Sequence, residues 1–332
     1  MEYRQLGKSD LKVSSITFGA WAIGGWMWGG ADRREAIKAI HKAADLGITS
    51  IDTAPIYGMG TSEEIVGEAV RELSRDKIQL LTKFGLVWEG TSGRLHMKDS
   101  PHQGKKYDVY KYAAADSIRK ECENSLRRLK TDYIDLYQIH WPDPTTPIDE
   151  TMDAVAALIR EGKVREAGVC NYSAAEMKEA ETTLKLVSNQ VPYSMVNRGI
   201  EAEIVPHCLE TGAGILAYSP LQRGVLTGKF QPGHEFKEGD HRPQTPFFKP
   251  GNISRINTFL EKIRPIAEDK GATLAQLVLR WTIDQPGITA ALAGARDAAQ
   301  VAQNAKAAEI TLNAEELASI NGHLAELELK AD

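Results

Sequence analysis

Cysteine is scarce in this sequence. Among its 332 residues there are three cysteines, Cys122, Cys170 and Cys208, and no two of them form a Cys-x-x-Cys pair. A small, odd number of cysteines argues against a disulfide framework and favours a reducing compartment. Histidine, cysteine and acidic residues also lack the spacing of a metal site, so we expect no metal.

The chain also lacks a long apolar segment. Its first ten residues are polar and charged, and the apolar stretch 16–28 holds too many glycines for a secretory signal or a membrane span. The net charge of −5 at pH 7 leaves no basic footprint for nucleic acid. We therefore expect a cytoplasmic protein that binds neither membranes nor nucleic acids.

Short apolar runs alternate with longer amphipathic stretches along the chain. Several runs are apolar almost throughout, as parallel strands covered on both faces are. Eight alternations, with no linker or low-complexity segment, predict an α/β fold, a (β/α)8 TIM barrel forming one domain over residues 1–332. The predicted strands are 15–18, 49–52, 78–83, 133–138, 164–169, 189–191, 214–217 and 288–292.

Helical periodicity follows most of these runs. The motif Thr61-Ser62-Glu63-Glu64 predicts a capping box at the start of one helix, and Gly47 is typical of the residue after a helix end. The predicted helices are 31–46, 61–70, 113–129, 150–159, 174–184, 298–308 and 313–329.

Three segments do not follow the alternation. Residues 1–14 predict a β-hairpin that turns near Lys8-Ser9-Asp10 and plugs one end of the barrel. Residues 84–112 and 219–250 predict long loops, which in compact domains tend to carry function. Both follow strands, so they are expected on the carboxyl-terminal face, where barrel active sites lie.

Polar residues stand at or just beyond the ends of three consecutive predicted strands. Asp52, Lys83 and His140 end or directly follow strands two, three and four, and Tyr57 lies in the loop after the first of these. Each residue alone has an ordinary structural explanation as a loop cap, packing group or solvated side chain. Together they would project into one barrel mouth.

This set suits the reduction of a carbonyl group. Tyrosine, with a pKa of about 10, carries its proton at neutral pH. We expect the Lys83 ammonium to lower the pKa of Tyr57 and ease proton donation, with Asp52 holding Lys83 in place. His140 would hydrogen-bond and orient the substrate oxygen.

Six motifs in order carry a resemblance to a known family. The chain resembles an aldo-keto reductase over nearly its whole length, and that resemblance makes Asp52, Tyr57, Lys83 and His140 the catalytic tetrad. It implies reduction of aldehydes and ketones to alcohols by hydride transfer from NADPH. The motifs are IDTAPIYGMGTSEEIVG, LLTKFG, SLRRLKTDYIDLYQIHWPDP, GKVREAGVCNYS, LAYSPLQRGVLTGK and AGARDAAQVAQN.

The expected cofactor site is at the last two strands rather than at Gly58-Met59-Gly60. A third glycine of a dinucleotide fingerprint would fall at Glu63, so a Rossmann site is rejected. Arg296 stands where a helix begins, a place disfavoured for cations, which hints at an anionic ligand such as the 2′-phosphate of NADP. The spacing of Gly294, Arg296, Gln300 and Asn304 resembles the family's adenosine site.

The resemblance also assigns the nicotinamide and pyrophosphate contacts. Tyr218 resembles the aromatic residue that stacks on the ring, and Asn171 and Gln190 resemble the amides that hold its carboxamide. Cys170 departs from the serine that relatives often carry, and we interpret it as a small buried residue. The pyrophosphate loop would comprise Ser219, Leu221, Gly224, Leu226 and Lys229.

Tryptophans supply the predicted substrate pocket. Trp21, Trp88 and Trp141 are the preferred candidates, whereas Trp26 and Trp28 are equally compatible with core packing. A group of cations in the third loop would attract an anionic substrate or form a solvated face: His96, His102, Lys105 and Lys106.

Alternative functions stay open from the sequence. The same tetrad would serve a dehydrogenase of sugars, polyols or pyridoxal, and potassium channel β subunits resemble the family as slow NADP-binding redox sensors. The physiological substrate, the favoured direction, the strictness for NADP over NAD and the oligomeric state are not fixed by these residues. A monomer is the expectation.

Overall fold

The computed structural model describes residues 1–28, 32–236 and 239–330. Its strands are β1 Tyr3–Gln5, β2 Lys12–Ser14, β3 Ile16–Gly19, β4 Ser50–Asp52, β5 Gln79–Phe84, β6 Leu86–Val87, β7 Arg94–His102, β8 Lys105–Lys111, β9 Ile134–Ile139, β10 Val164–Cys170, β11 Ser188–Pro192, β12 Gly214–Tyr218 and β13 Ile288–Gly294. Its α-helices are α1 Arg33–Asp45, α2 Thr61–Val70, α3 Ala115–Leu129, α4 Ile148–Arg160, α5 Ala174–Glu181, α6 Ile204–Thr211, α7 Pro250–Asp269, α8 Leu274–Ile283, α9 Ala298–Ala305 and α10 Ala314–Ala325.

A closed barrel of eight parallel strands forms the centre. Strands β3, β4, β5, β9, β10, β11, β12 and β13 pair in chain order, and β13 closes on β3 through Gly294 opposite Gly19. The predicted TIM barrel is therefore confirmed. Because all eight strands are parallel, their carboxyl-terminal ends meet on one face.

The amino-terminal hairpin is also confirmed. Strands β1 and β2 pair antiparallel, with Tyr3 opposite Ser14. Leu6, Leu11 and Val13 are buried in one cluster with inward side chains of the barrel strands, including Leu81 and Leu216. Burial of these apolar side chains closes the barrel at the end opposite the predicted site.

The capping box predicted at Thr61 is wrong. Helix α2 begins after Gly60, which has a φ of 97° and provides no side-chain cap. Glu63 points inward instead, accepting a hydrogen bond from Thr82 and pairing with Arg128 at 2.7 Å. True capping boxes form at the starts of α5, α8 and α10.

The segment 84–112 is not an unstructured loop as predicted. It forms a three-stranded antiparallel sheet in the order β6-β8-β7 beside the barrel mouth. Trp26 Nε1 donates to Ser100 Oγ at 3.0 Å, which ties this sheet to the loop after β3. The alternation signal missed it because its strands are short or polar on the exposed face.

The second long loop, 219–250, matches the prediction more closely, with short 3₁₀ turns; residues 237–238 lie outside the described residues. Helices α6, α7 and α8 were not predicted. Of the predicted helices, α2 has the expected bounds, and one or both ends differ in α1, α3, α4, α5, α9 and α10. The predicted start of the first helix at Ala31 falls outside the described residues. None of the helices in the described part of the chain is long and apolar enough to cross a membrane.

Candidate active site

A buried ion pair stands at the mouth of the barrel. Lys83 Nζ, on β5, donates to Asp52 Oδ1 at the end of β4 over 2.7 Å and to the carbonyl oxygen of Thr53 over 2.9 Å. The Lys83 side chain is fully buried. Gln190 Nε2, on β11, donates to the other Asp52 oxygen at 2.7 Å. Three strands therefore hold one charge-balanced group, as buried ions require.

Tyr57 lies directly over this pair. Lys83 Nζ is 5.0 Å from the centroid of the Tyr57 ring. The loop that carries Tyr57 turns through Gly58, and Gly24 of the preceding loop packs on the Tyr57 backbone. A Cβ at Gly24 would lie 2.5 Å from the Tyr57 carbonyl oxygen, so the close approach that fixes Tyr57 requires glycine there.

His140 follows β9 and faces Tyr57. Their ring centroids are 5.7 Å apart at an interplanar angle of 80°. The His140 carbonyl oxygen accepts a hydrogen bond from Asn171 Nδ2, and Asn171 Oδ1 accepts one from the Tyr218 hydroxyl. Asn171 adopts a left-handed φ of 60°, a strained conformation of the kind found at functional sites.

Burial, more than charge, governs the proton affinities here. Burial raises the pKa of Tyr57 to about 12, and the Lys83 charge opposes this rise without cancelling it. Lys83 acts on the pKa of Tyr57 in the expected direction, but burial outweighs it, so the expectation of a net lowered pKa is wrong. Burial and the nearby Lys83 charge hold the pKa of His140 well below its usual value, so its imidazole is neutral. Burial disfavours the charged form of Lys83, but the Asp52 carboxylate raises the net pKa of Lys83 above its usual value.

A single cavity of about 790 Å³ extends from these residues to the start of α9. Of the sequence-predicted residues, the structure places at its wall Asp52, Tyr57, His140, Asn171, Gln190, Tyr218, Ser219, Leu221, Gly224, Lys229, Gly294, Arg296, Gln300, Asn304, Trp21 and Trp141. Cys170 also lies there, at the end of β10. Lys83 lies behind Asp52 and Tyr57 rather than at the wall.

Two sequence predictions are corrected by this geometry. Leu226 is fully buried in the hydrophobic core, because the 3₁₀ turn at 222–227 points it inward, and it does not line the cavity. Trp88 packs against the cluster around Trp26 and likewise lies off the cavity wall. Trp26 and Trp28, which the sequence left open, do line it.

The environment of Arg296 differs from the prediction. Arg296 precedes the N-cap of α9, Asp297, whose side chain accepts a hydrogen bond from the Gln300 amide. Arg296 is therefore outside the first helical turn, and the argument from the helix dipole does not apply to it. Gln300 Oε1 accepts from the Arg296 amide, while the Arg296 side chain is exposed at the cavity wall.

Sequence reasoning missed several wall residues. Leu86 and Met97 come from the additional sheet, which periodicity did not reveal, whereas His96, named from the sequence as a loop cation, also lies at the wall. Arg223 and Thr227 come from the loop after β12. The only signal for Arg223 was its place within the quoted LAYSPLQRGVLTGK motif.

The donor set fits a dinucleotide. Lys229 and Arg296 place two cations at the cavity wall, beside the loop after β12 and the start of α9, whereas one of the two carboxylates at the wall, Asp52, is already neutralised by Lys83. Ser219, Gln222, Arg223 and Gly224 have positive φ values, which turn the loop tightly against the cavity. Cationic side chains beside such a loop suit an anionic pyrophosphate. No three His, Cys, Asp or Glu residues of the described ranges group as metal ligands.

The match to a family model decides the affiliation. The model described as the aldo/keto reductase family matches residues 15–325. The chain belongs to this family. Its matched region includes all eight barrel strands, the paired Asp52 and Lys83, and the cavity wall up to Asn304.

Sequence relatives and solved structures agree with this membership. The aldo-keto reductase YhdN of Bacillus subtilis strain 168 is 38% identical over 323 residues, covering 97% of this chain and 93% of the relative. The NADH-specific methylglyoxal reductase of Escherichia coli strain K12 is 37% identical over 313 residues, covering 93% of this chain and 94% of the relative.

The structural matches span the whole barrel. The glycerol dehydrogenase of Gluconobacter oxydans superposes with a TM-score of 0.88 at 37% identity, covering 99% of this chain and 98% of that one. An aldo-keto reductase of Bacillus halodurans in its holo form superposes with a TM-score of 0.79 at 30% identity, covering 100% of this chain and 97% of that one.

Proposed function

We propose that this protein reduces small aldehydes and ketones to alcohols with NADPH, and that Tyr57 is the proton donor. The observation that carries the proposal is that the Tyr57 ring lies next to both the Lys83 ammonium and the His140 imidazole, at the wall of one large cavity. The proposed catalytic set is Asp52, Tyr57, Lys83 and His140 within a single domain, 1–332.

The proton chemistry follows from the pKa values. A bound nicotinamide dinucleotide supplies the hydride to the carbonyl carbon. Because burial raises the pKa of Tyr57 to about 12, its hydroxyl is protonated throughout the neutral range and is ready to donate. Lys83 stabilises the tyrosinate left behind, and Asp52 keeps Lys83 charged and in place.

His140 acts on the substrate oxygen without changing charge. Its lowered pKa keeps the imidazole neutral, so it orients the carbonyl by donating a hydrogen bond. The hydrogen bond from Asn171 to the His140 carbonyl fixes the backbone that carries this ring. The wall around Trp21, Trp26 and Trp141 is apolar, which excludes water from the reacting groups.

NADP is the proposed dinucleotide. The exposed Arg296 guanidinium beside Gln300 and Asn304 is suited to a 2′-phosphate, because paired N–H donors match phosphate oxygens. Lys229, at the loop after β12, would contact the pyrophosphate. The Escherichia coli relative is named as NADH-specific, so the preference has to be measured with both cofactors.

Alcohol oxidation is the second candidate. The Gluconobacter oxydans relative, with a TM-score of 0.88, is named a glycerol dehydrogenase. Oxidation requires Tyr57 as tyrosinate, and a pKa of about 12 leaves this form rare at neutral pH. This favours reduction near pH 7 and oxidation in alkaline solution.

A panel of aldehydes and polyols tests the proposal. NADPH and NADH oxidation would be followed at pH 7 with small aldehydes, and NADP⁺ and NAD⁺ reduction at pH 7 and 10 with glycerol and other polyols. Turnover of aldehydes with NADPH supports the reductase. Turnover of polyols alone favours the dehydrogenase over the reductase. Binding of NADPH with no turnover in either direction contradicts both the reductase and the dehydrogenase proposals.

A further inference from the structure

Arg223 is a cavity cation that the catalytic set does not use. It lies in the loop after β12, half-buried at the cavity wall. Burial lowers its pKa, and the neighbouring Tyr218 opposes this shift. Among residues 1–28, 32–236 and 239–330, no carboxylate forms an ion pair with its guanidinium. A half-buried guanidinium without a carboxylate is costly unless a ligand neutralises it.

The Arg223 guanidinium lies beside the aromatic rings of the proposed catalytic site. Gln222, Arg223 and Gly224 adopt φ values of 44°, 56° and 99°, so three successive residues are left-handed. The guanidinium Cζ lies 5.9 Å from the centroid of the Trp21 ring. Trp21 in turn stacks on Tyr57, with centroids 6.0 Å apart at 28°. The Arg223 guanidinium and the ring of the proposed proton donor, Tyr57, are therefore both neighbours of the Trp21 indole.

A second aromatic residue of the wall, Trp141, also lies next to a cation. His96 lies at the cavity wall, with its ring 5.5 Å from that of Trp141, and Lys111 Nζ lies 4.8 Å above the Trp141 ring. The carboxylates of Asp143 and Glu176 act on Lys111. Asp143 is engaged as an acceptor for backbone and threonine donors. Lys111 therefore adds one positive charge beside the Trp141 ring, although the whole chain carries a net charge of −5.

We propose that Arg223 binds an anionic group, a carboxylate or phosphate, on the carbonyl substrate. Lys229 and Arg296 are the cations proposed for the dinucleotide phosphates, whereas the Arg223 guanidinium lies beside Trp21, the ring that stacks on Tyr57. Guanidinium bonds to carboxylate are charge-assisted and strong. The proposal rests on the proposed function, and it narrows the substrate class to carbonyl compounds that carry a negative charge.

A matched pair of aldehydes tests it. 4-Carboxybenzaldehyde and methyl 4-formylbenzoate share the ring and the carbonyl, and only the first is charged. We expect the wild type to prefer the acid in kcat/KM by on the order of 10- to 100-fold, mainly through KM. R223M should remove this preference and leave the ester unchanged, while R223K should restore part of it.

Two controls separate the possible roles of Arg223. R34Q makes the same charge change at exposed Arg34 on α1 and should alter neither substrate. The Kd for NADPH, measured by fluorescence titration without substrate, should be the same for wild type and R223M. Equal losses for acid and ester, or weakened NADPH binding by R223M, would overturn the proposal and place Arg223 in the cofactor site.

Failure of the proposed function gives a different pattern. If the wild type reduces neither aldehyde with NADPH or NADH, the reductase proposal fails by itself. Calorimetric titration of the acid and the ester into the wild type and R223M then decides on Arg223. Tighter binding of the acid that R223M abolishes supports the anion site, and equal binding contradicts it.

Discussion

Lys83 lies next to Tyr57 but forms its ion pair with Asp52. The Lys83 ammonium is 5.0 Å from the centroid of the Tyr57 ring, and the Asp52 carboxylate neutralises its charge. Burial pushes the pKa of Tyr57 up and Lys83 pulls it down, and burial is the larger effect. The tyrosine consequently retains its proton until a reaction removes it. Lys83 would contribute most once tyrosinate forms.

Replacing Lys83 by methionine should separate stability from catalysis. The variant leaves Asp52 buried without its cation, so we expect a loss of about 3–5 kcal/mol in the free energy of unfolding. Turnover should fall by about 10²- to 10⁴-fold, because tyrosinate loses its stabilising charge. Urea unfolding and kcat measure the two effects.

The double variant K83M/D52N is the control for this experiment. It removes the unpaired carboxylate and should recover much of the lost stability. Activity should stay low, because the ammonium is still missing. Recovery of both stability and activity in the double variant would show that Lys83 is needed only for folding.

The pH profile of reduction should be flat across the neutral range. Tyr57, with a pKa of about 12, is protonated and active below that value and loses its proton only above it. His140, with a pKa well below its usual value, is already neutral at pH 6. We expect kcat/KM to vary little between pH 6 and 9. A marked inflection near pH 7 would assign the proton transfer to another group.

Arg296 should determine the preference between the two nicotinamide cofactors. For R296Q we expect the Kd for NADPH to rise by about 10- to 100-fold, as for the loss of a charge-assisted hydrogen bond, with little change for NADH. K306Q changes the same charge at an exposed residue just past α9 and serves as the matched control. If R296Q weakens NADH and NADPH equally, the 2′-phosphate assignment is wrong.

Glu121 on α3 should make stability depend on pH. Burial raises its pKa to about 7, while its side chain accepts hydrogen bonds from the Gly85 amide and the Ser117 hydroxyl. A raised pKa means that the folded protein favours protonated Glu121. Protonation of Glu121 therefore stabilises the fold fully below the pKa that this group has in the unfolded chain, and this stabilisation is lost as pH rises through 7.

The variant E121Q tests this assignment. Glutamine cannot ionise, so it does not lose stability when Glu121 would deprotonate. The Tm of E121Q should therefore rise relative to the Tm of the wild type as pH increases from 4.5 to 8. Any hydrogen bond lost on substitution is independent of pH and shifts all points together. A constant difference over this range would mean that Glu121 titrates normally.

The barrel was predictable because its signal is periodic. Buried parallel strands are apolar on both faces, so runs such as 288–292 stand out, and strand ends in a barrel must converge. That convergence brings Asp52 and Lys83 together across β4 and β5. The additional sheet β6-β8-β7 escaped prediction because its pattern is mixed and its strands pair locally.

The remaining errors come from tertiary contacts that outweigh local patterns. Thr61 and Glu64 match a capping box, yet the inward pairing of Glu63 with Arg128 and the left-handed Gly60 set the helix start. The pKa of Tyr57 could not be read from its neighbours in sequence, because burial depends on the whole cavity wall. The prediction that Leu226 contacts the pyrophosphate is wrong for the same reason, since the 3₁₀ turn directs this side chain into the core.

The most direct test of the central claim is single-turnover reduction of an aldehyde by Y57F, with NADPH binding measured on the same preparation. Y193F removes a buried tyrosine hydroxyl outside the cavity, one that bonds Glu201, and is the matched control. We predict that Y57F binds NADPH as the wild type does and transfers hydride about 10²- to 10⁴-fold more slowly, while Y193F retains activity. A Y57F variant within a few-fold of the wild-type rate would contradict the assignment of Tyr57 as the proton donor.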